Sequence, residues 1–182
     1  MVNRTNGKVI WLYGRPCSGK TTLASAISES LKAKGVSLIT LDGDELRLGV
    51  NADLGFSQTA RLENIRRASE IAKLLATKGF WVICSFITPT IELRELVSKI
   101  NLESDLVLIY IHASFESCQR RDVKGQYSRA NKGLIANFTG VNSTFEEPVG
   151  DFNRIDTDEL NIEEACKKCL EFILKNWGQP VI

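Results

Sequence analysis

The chain has 182 residues, 43% of them hydrophobic and 25% charged, with 23 Lys and Arg against 22 Asp and Glu. Its length fits one domain of the usual about 100 to 200 residues spanning 1–182, and its composition fits a folded globule with a real core, not a disordered tail or a fibre. A formal net charge of +1 offers no excess to hold a polyanion such as duplex DNA, which argues against a dedicated nucleic-acid binder. No apolar run approaches the roughly 20 residues that span a bilayer, and the opening Met1-Val-Asn-Arg-Thr-Asn-Gly-Lys8 lacks the apolar stretch of a secretion signal. The expectation is a cytoplasmic protein that engages neither membrane nor nucleic acid.

Along the chain, apolar runs rich in β-branched residues alternate with stretches of helical period. Val9–Tyr13 reads as the first strand. It runs into Gly14-Arg15-Pro16-Cys17-Ser18-Gly19-Lys20-Thr21, which fits G-x-x-x-x-G-K-S/T between a strand and a helix, the context that a phosphate-binding loop requires. The glycines let backbone N–H groups converge on phosphate oxygens, the following helix adds its positive dipole end, Lys20 reaches the β- and γ-phosphates, and Thr21 can ligate Mg²⁺. A nucleoside triphosphate is therefore expected at Gly14–Thr22.

The helix Thr21–Lys34 is expected to end at Lys34-Gly35, and Ser37–Leu41 to form the second strand. That strand closes on Asp42-Gly43-Asp44, two carboxylates at the carboxyl edge of the sheet, where open α/β folds bind ligands. One can organise Mg²⁺ and the other can accept a proton from an attacking hydroxyl; read alone, the same residues are an ordinary Asp-Gly turn. Beyond them come Arg47, Asn51, Phe56, Arg61, Asn64, Arg66 and Arg67. Arg61 and Asn64 are three apart on the first turns of a helix, Ala60–Lys78, near a dipole end suited to anions, which implies a second anionic ligand. Phe56 can supply a stacking face for a base, while the plainer reading is a solvated face with pairs such as Glu63 to Arg67.

Trp81–Ser85, helix Ile91–Ile100 and strand Leu106–His112 follow, so the order is βαβα. The strands read as apolar on both faces, and the class is α/β, a three-layer fold with a parallel sheet flanked by helices. From Asp122 the chain turns polar, basic and glycine-punctuated up to Phe138-Thr-Gly140, the pattern of a mobile lid over about 122–140. The last helix, Ile162–Lys175, is announced by Asn161 as N-cap with Glu164 three residues on.

Five cysteines, an odd number scattered over the chain, argue against a disulfide framework. Cys166 and Cys169 are expected as small side chains on one face of the last helix, not as a metal or redox pair. His112, the sole histidine, is read as structural, and Trp11 and Trp81 as core. Trp177 could pack the last helix or serve a subunit contact.

Several of these stretches together resemble the adenylylsulfate kinase family. They are Val9-Ile-Trp-Leu-Tyr-Gly14 with its loop, Leu41-Asp-Gly-Asp-Glu-Leu-Arg47, Asn51-Ala-Asp-Leu-Gly-Phe56, Arg61-Leu-Glu-Asn-Ile-Arg-Arg67, Ser85-Phe-Ile-Thr-Pro89, Arg121-Asp-Val-Lys-Gly125 and Phe138-Thr-Gly140. The resemblance implies a P-loop kinase fold with a lid, usually dimeric, in which ATP phosphorylates the 3′-hydroxyl of adenosine 5′-phosphosulfate to give 3′-phosphoadenosine 5′-phosphosulfate. It implies Asp44 as the base and Arg121 as the side chain stacked on the adenine of ATP. Asp42, Arg47, Phe56, Arg61, Asn64, Ile87 and Lys124 would line the acceptor, with Phe138 closing over its adenine and Thr88 a contact at most. Thr21 and Asp42 would serve the metal. The chain departs from the family pattern at Arg15-Pro16-Cys17-Ser18, where Leu-Ser-Gly-Ala is usual, which is expected to set an arginine beside the phosphates. It departs again at Leu48, Val50, Thr90-Ile91 and Ser128-Arg129. The alternatives are a kinase for another modified nucleotide, such as cytidine diphosphoramidate, and a non-catalytic or switch-type P-loop NTPase. A guanine-type switch would want Asn-Lys-x-Asp, whereas Asn131-Lys132 is followed by Gly133-Leu134.

Overall fold

The sheet grows outward from β1 (Lys8–Tyr13), whose six residues carry the most apolar run before the loop. The computed structural model describes residues 7–101 and 105–178, so most of the opening stretch read for a signal lies outside the described residues. β1 is flanked by β3 (Trp81–Phe86) and β4 (Asp105–His112), with β2 (Leu38–Asp42) and β5 (Asn153–Asp156) at the edges. The order is β2-β3-β1-β4-β5, parallel throughout. Parallel strands need crossovers, and the helices supply them on both faces. Period-2 alternation divides β1 between them: Ile10 and Leu12 pack with α1 (Lys20–Lys32) and α7 (Ile162–Trp177), while Val9, Trp11 and Tyr13 pack with α3 (Gln58–Thr77) and α4 (Ile91–Ile100).

Local chemistry sets the helix ends. Ser57 Oγ accepts from the Ala60 N–H at 3.2 Å and starts α3, and Thr90 Oγ1 caps α4 through the Leu93 N–H. Asn161 and Glu164 form the expected capping box on α7, each side chain accepting the other's backbone N–H at 3.0 Å. Gly35 and Gly79 sit at φ of 82° and 91°, left-handed conformations that only glycine adopts without strain, and so end α1 and α3 as their Lys-Gly signals predict. Ala68, Ala72 and Ala76 recur every fourth residue on the buried side of α3, which lets that helix lie close on the sheet.

Two expectations need correction, and a third gains detail. The fifth strand, Asn153-Arg-Ile-Asp156, was not anticipated, because Ile155 is its one apolar residue and an edge strand four residues long carries no alternation. β2 is not apolar on both faces: it is the opposite edge, with half-buried residues and Thr40 exposed. The stretch expected as a lid holds helix α6 (Gln126–Asn131), following α5 (Phe115–Arg120), and Tyr127 of α6 is fully buried against Phe115 and Phe138. Six residues opened by Gly125 at φ 64° show no helical period in sequence. Trp11 is core as expected, and Trp81 packs edge-on to Trp177 at 5.4 Å, which gives Trp177 an intramolecular role. Cys166 and Cys169 are buried on the face of α7 that meets α1. Among the described residues, no helix is long and apolar enough to cross a membrane.

Candidate active site

The carboxyl ends of β1, β2 and β3 open on one cleft of about 610 Å³. Its floor at β1 is the loop Gly14–Thr21. Gly14 is forced by close approach: a methyl group there would stand 2.2 Å from the Ile111 carbonyl oxygen. Four carbonyls of the loop are occupied. Lys20 Nζ donates to Gly14 O at 3.0 Å and to Arg15 O at 2.6 Å, the Tyr127 hydroxyl donates to Pro16 O at 3.0 Å, and Thr157 Oγ1 donates to Ser18 O at 3.1 Å. A trans peptide sets each N–H opposite its carbonyl, so the amides of Cys17 and Gly19 face away from Tyr127 and Thr157. Both residues line the cleft, where α1 also brings its positive end.

Lys20 is 8% exposed. Burial pulls its ammonium down to about 8, and the loop carbonyls are the acceptors that keep a buried charge satisfied. At the edge of β2, Asp42 caps α2 (Gly43–Leu48): its Oδ1 accepts from the Asp44 N–H at 2.9 Å, while its Oδ2 accepts from Thr21 Oγ1 at 2.8 Å. The Asp-Gly turn is thus a helix start that points Asp42 at the phosphate loop. Ser85, paired with Asp42 across β2 and β3, lines the same cleft with a buried Oγ that has no hydrogen-bond partner. Asp44 lies beside it on α2 and receives the Lys124 ammonium on Oδ2 at 2.6 Å.

The remaining wall is cationic and aromatic. Arg47 Nη1 donates to the carbonyls of Leu54 and Gly55, both at 3.1 Å, and its guanidinium lies 4.3 Å from the centre of the Phe56 ring. Phe56 is 55% exposed and lines the cleft, so an aromatic ring is presented where apolar surface is normally withdrawn. From the first turns of α3, Arg61 donates to Phe56 O at 3.1 Å, to Thr139 Oγ1 at 2.7 Å and to Asn137 O. Asn64, one turn on, is buried and accepts from Asn51 Nδ2 at 3.0 Å. Arg121 lines the cleft and is held along one edge of its planar guanidinium by Thr157 and Asp158. Five cations, Lys20, Arg47, Arg61, Arg121 and Lys124, face two carboxylates, Asp42 and Asp44. A chain that is nearly neutral overall thereby concentrates positive potential where an anion would enter.

The structure brings together Pro16, Cys17, Gly19, Lys20, Thr21, Thr22 and Arg121 from the expected ATP set, and every residue of the expected acceptor set, including Ile87, Thr88 and Phe138. Gly14, Arg15 and Ser18 do not line the cleft. Arg15, expected beside the phosphates, turns its guanidinium to Glu147 at 2.7 Å and lies over Phe145, outside the cleft lining. His112 is engaged by the Tyr110 hydroxyl at 3.2 Å and faces Asp156 at 3.7 Å. The sequence reading missed the cover residues Ile135, Asn137 and Thr139, and missed Thr157, which holds both Ser18 and Arg121. The Thr-Gly that follows Phe138 was the available signal for Thr139; for Thr157 there was none.

Comparison with known proteins agrees with this geometry. The family model for adenylylsulphate kinase matches residues 6–153. An adenylyl-sulfate kinase of Bacteroides thetaiotaomicron is 41% identical over 166 residues, covering 91% of this chain and 83% of the relative. One from Thermodesulfovibrio yellowstonii is 45% identical over 165 residues, covering 91% and 82%. The solved structure of the Mycobacterium tuberculosis APS kinase in complex with AMPPNP and APS superposes with a TM-score of 0.89 at 38% identity, over 92% of this chain and 98% of that one. Loop, acidic turn and arginine wall stand here in a single cleft, and with most of the sequence matched, the chain belongs to the adenylylsulphate kinase family.

Proposed function

We propose that this chain transfers the γ-phosphoryl group of ATP to the 3′-hydroxyl of adenosine 5′-phosphosulfate, giving 3′-phosphoadenosine 5′-phosphosulfate and ADP. The observation that carries this reading is the single cleft in which a phosphate loop, with its buried Lys20, and a wall of Arg47, Phe56, Arg61 and Asn64 flank Asp44. The triphosphate lies along the loop amides and draws the Lys20 ammonium from the loop carbonyls to its own oxygens. Arg121 offers its flat face to the adenine of ATP. The acceptor sits between Phe56 and Phe138, its anionic end toward Arg47 and Arg61, and its ribose toward Asp44.

In the transfer, the 3′-oxygen bonds to the γ-phosphorus as the bond from that phosphorus to ADP breaks, and the hydroxyl proton passes to an Asp44 oxygen. Lys124, on the cover, sits beside both Asp44 and the path of the transferred group. The segment over 122–140 excludes water, which would otherwise compete as acceptor. Thr21 and Asp42, two oxygens 2.8 Å apart, with the unpartnered Ser85 Oγ close by, fit a hard, partly hydrated cation, and these residues would hold Mg²⁺. When bound, Mg²⁺ neutralises charge on the phosphates. The family resemblance supports a single-domain, cytoplasmic homodimer.

The test is ADP release followed in a coupled assay with adenosine phosphosulfate or cytidine diphosphoramidate as acceptor. Turnover that requires adenosine phosphosulfate is the expected result. Turnover only with the cytidine compound would reassign the acceptor, and acceptor-independent ATP hydrolysis would favour a switch.

A further inference from the structure

Arg15 is bonded through its backbone to one half of the cleft and through its side chain to the cover of the other. Its carbonyl oxygen accepts the Lys20 ammonium at 2.6 Å. Its Nη2 donates to Glu147 Oε1 at 2.7 Å, its guanidinium stands 5.1 Å from the centre of the Phe145 ring, and a methyl group on Gly140 would lie 3.5 Å from Nη1. Glu147 is bonded in turn by the Tyr110 hydroxyl of β4, and Tyr110 stacks on Phe145. At the other end of this segment Arg61 grips Thr139 and Asn137. Residues 137–147 are therefore held by one arginine from the acceptor wall and one from the phosphate loop.

The Arg15 carbonyl accepts both the Ser18 N–H at 3.2 Å and the Lys20 ammonium at 2.6 Å, and the second of these is the bond a triphosphate would contest. A triphosphate would compete with the Arg15 carbonyl for the Lys20 ammonium, and the side chain of the same residue is what touches Glu147 and Phe145. A partly exposed ion pair adds little to stability by itself, but a pair whose geometry differs between the empty and filled loop links two binding events. Although partial burial pushes the Glu147 carboxyl up, the donors Arg15 and Tyr110 outweigh it and hold the group below its ordinary range. The pair is charged at neutral pH.

We propose that Arg15 and Glu147 are positioning residues that couple ATP in the phosphate loop to acceptor binding against Asn137–Thr139, the cleft-lining end of the 137–147 segment, an inference that rests on the phosphoryl-transfer reading above. The experiment is calorimetric titration of adenosine phosphosulfate with and without a non-hydrolysable ATP analogue and Mg²⁺. In the unaltered chain the analogue tightens acceptor binding by about fivefold or more. In Arg15→Leu and Glu147→Gln that factor falls toward one, while Glu147→Gln binds the analogue alone as the unaltered chain does. Arg15→Lys, which keeps the cation, restores part of the factor, as a purely structural loss would not. An unaltered chain that transfers phosphate yet shows no coupling overturns the inference, as does a Glu147→Gln chain with full coupling. An unaltered chain that binds neither compound sinks the phosphoryl-transfer reading and the coupling with it.

Discussion

The ammonium of Lys124 stands 2.6 Å from Oδ2 of Asp44, joining two residues 80 positions apart. One comes from the cover of the cleft and the other from the helix that starts at the edge of β2. The contact raises the Lys124 ammonium above its ordinary value through the hydrogen bond and charge of Asp44. Asp44→Asn, which keeps shape and removes the proton acceptor, is expected to lower kcat by about 10²-fold or more with ATP affinity unchanged. Lys124→Ala is expected to raise the acceptor KM, and because the pair is exposed to solvent the effect shrinks as salt is added. Steady-state kinetics at two ionic strengths, with ATP-analogue binding measured separately, checks both.

Lys20 gives a pH dependence with a defined sign. Burial brings its folded value to about 8, against 10.5 for the free group. Below pH 8 both folded and unfolded chains hold the proton, and the folded chain bears the full cost of a buried charge. Between about 8 and 10.5 the unfolded chain holds a proton that the nucleotide-free folded chain has released, so this group's contribution to stability rises with pH across that window. Triphosphate binding needs the ammonium, so ATP affinity falls by up to about tenfold per pH unit above 8, and binding takes up a proton. Calorimetry in two buffers of different ionisation enthalpy should show uptake near zero at about pH 7 and approaching one proton at about pH 9. No uptake at the higher pH would contradict the placement of Lys20 on the phosphates.

Cys17 reports on the loop. Cys84, Cys118, Cys166 and Cys169 are buried, whereas Cys17 is partly exposed and lines the cleft. An aromatic disulfide reagent is expected to label Cys17 first, slowly, because burial pushes its thiol up. Saturating ATP should slow that labelling by a factor near [ATP]/Kd, about 100 at 100 times Kd. Peptide mass mapping identifies the site, and labelling indifferent to ATP would place the nucleotide elsewhere.

Thr88 separates structure from chemistry. Its Oγ1 accepts from Trp11 Nε1 at 2.9 Å, with both residues buried. Thr88→Val leaves the indole N–H unpaired and is expected to cost about 1–3 kcal/mol by urea unfolding, with Thr88→Ser near normal. Direct transfer predicts a kcat for Thr88→Val within a few-fold of the unaltered chain. A loss of about 10²-fold at unchanged stability would put Thr88 in the reaction.

What the sequence made legible followed from local rules. The loop is contiguous, Asp42 and Asp44 sit at a strand end, and Asn161 with Glu164 is a short-range cap, so each could be placed before any contact was known. Arg61 and Asn64 were legible because helical spacing sets them on one side. The exceptions were contacts between distant parts of the chain. Arg15 and Glu147 are 132 positions apart, and Tyr127 and Pro16 are 111 apart. No periodicity announces such partners. β5 escaped because its pairing with β4, not its own composition, makes it a strand. Arg15 follows the same rule: its position in the loop suggests a phosphate contact, and the carboxylate that draws its side chain off the cleft lies far along the chain.

The most direct test of the account follows phosphorus. The chain is mixed with ATP, Mg²⁺ and adenosine 5′-phosphosulfate, and ³¹P NMR is recorded as ADP accumulates. The account predicts a new phosphomonoester signal coupled to the ribose 3′ proton, growing in step with ADP. Inorganic phosphate growing in its place, with the acceptor unchanged, would contradict it.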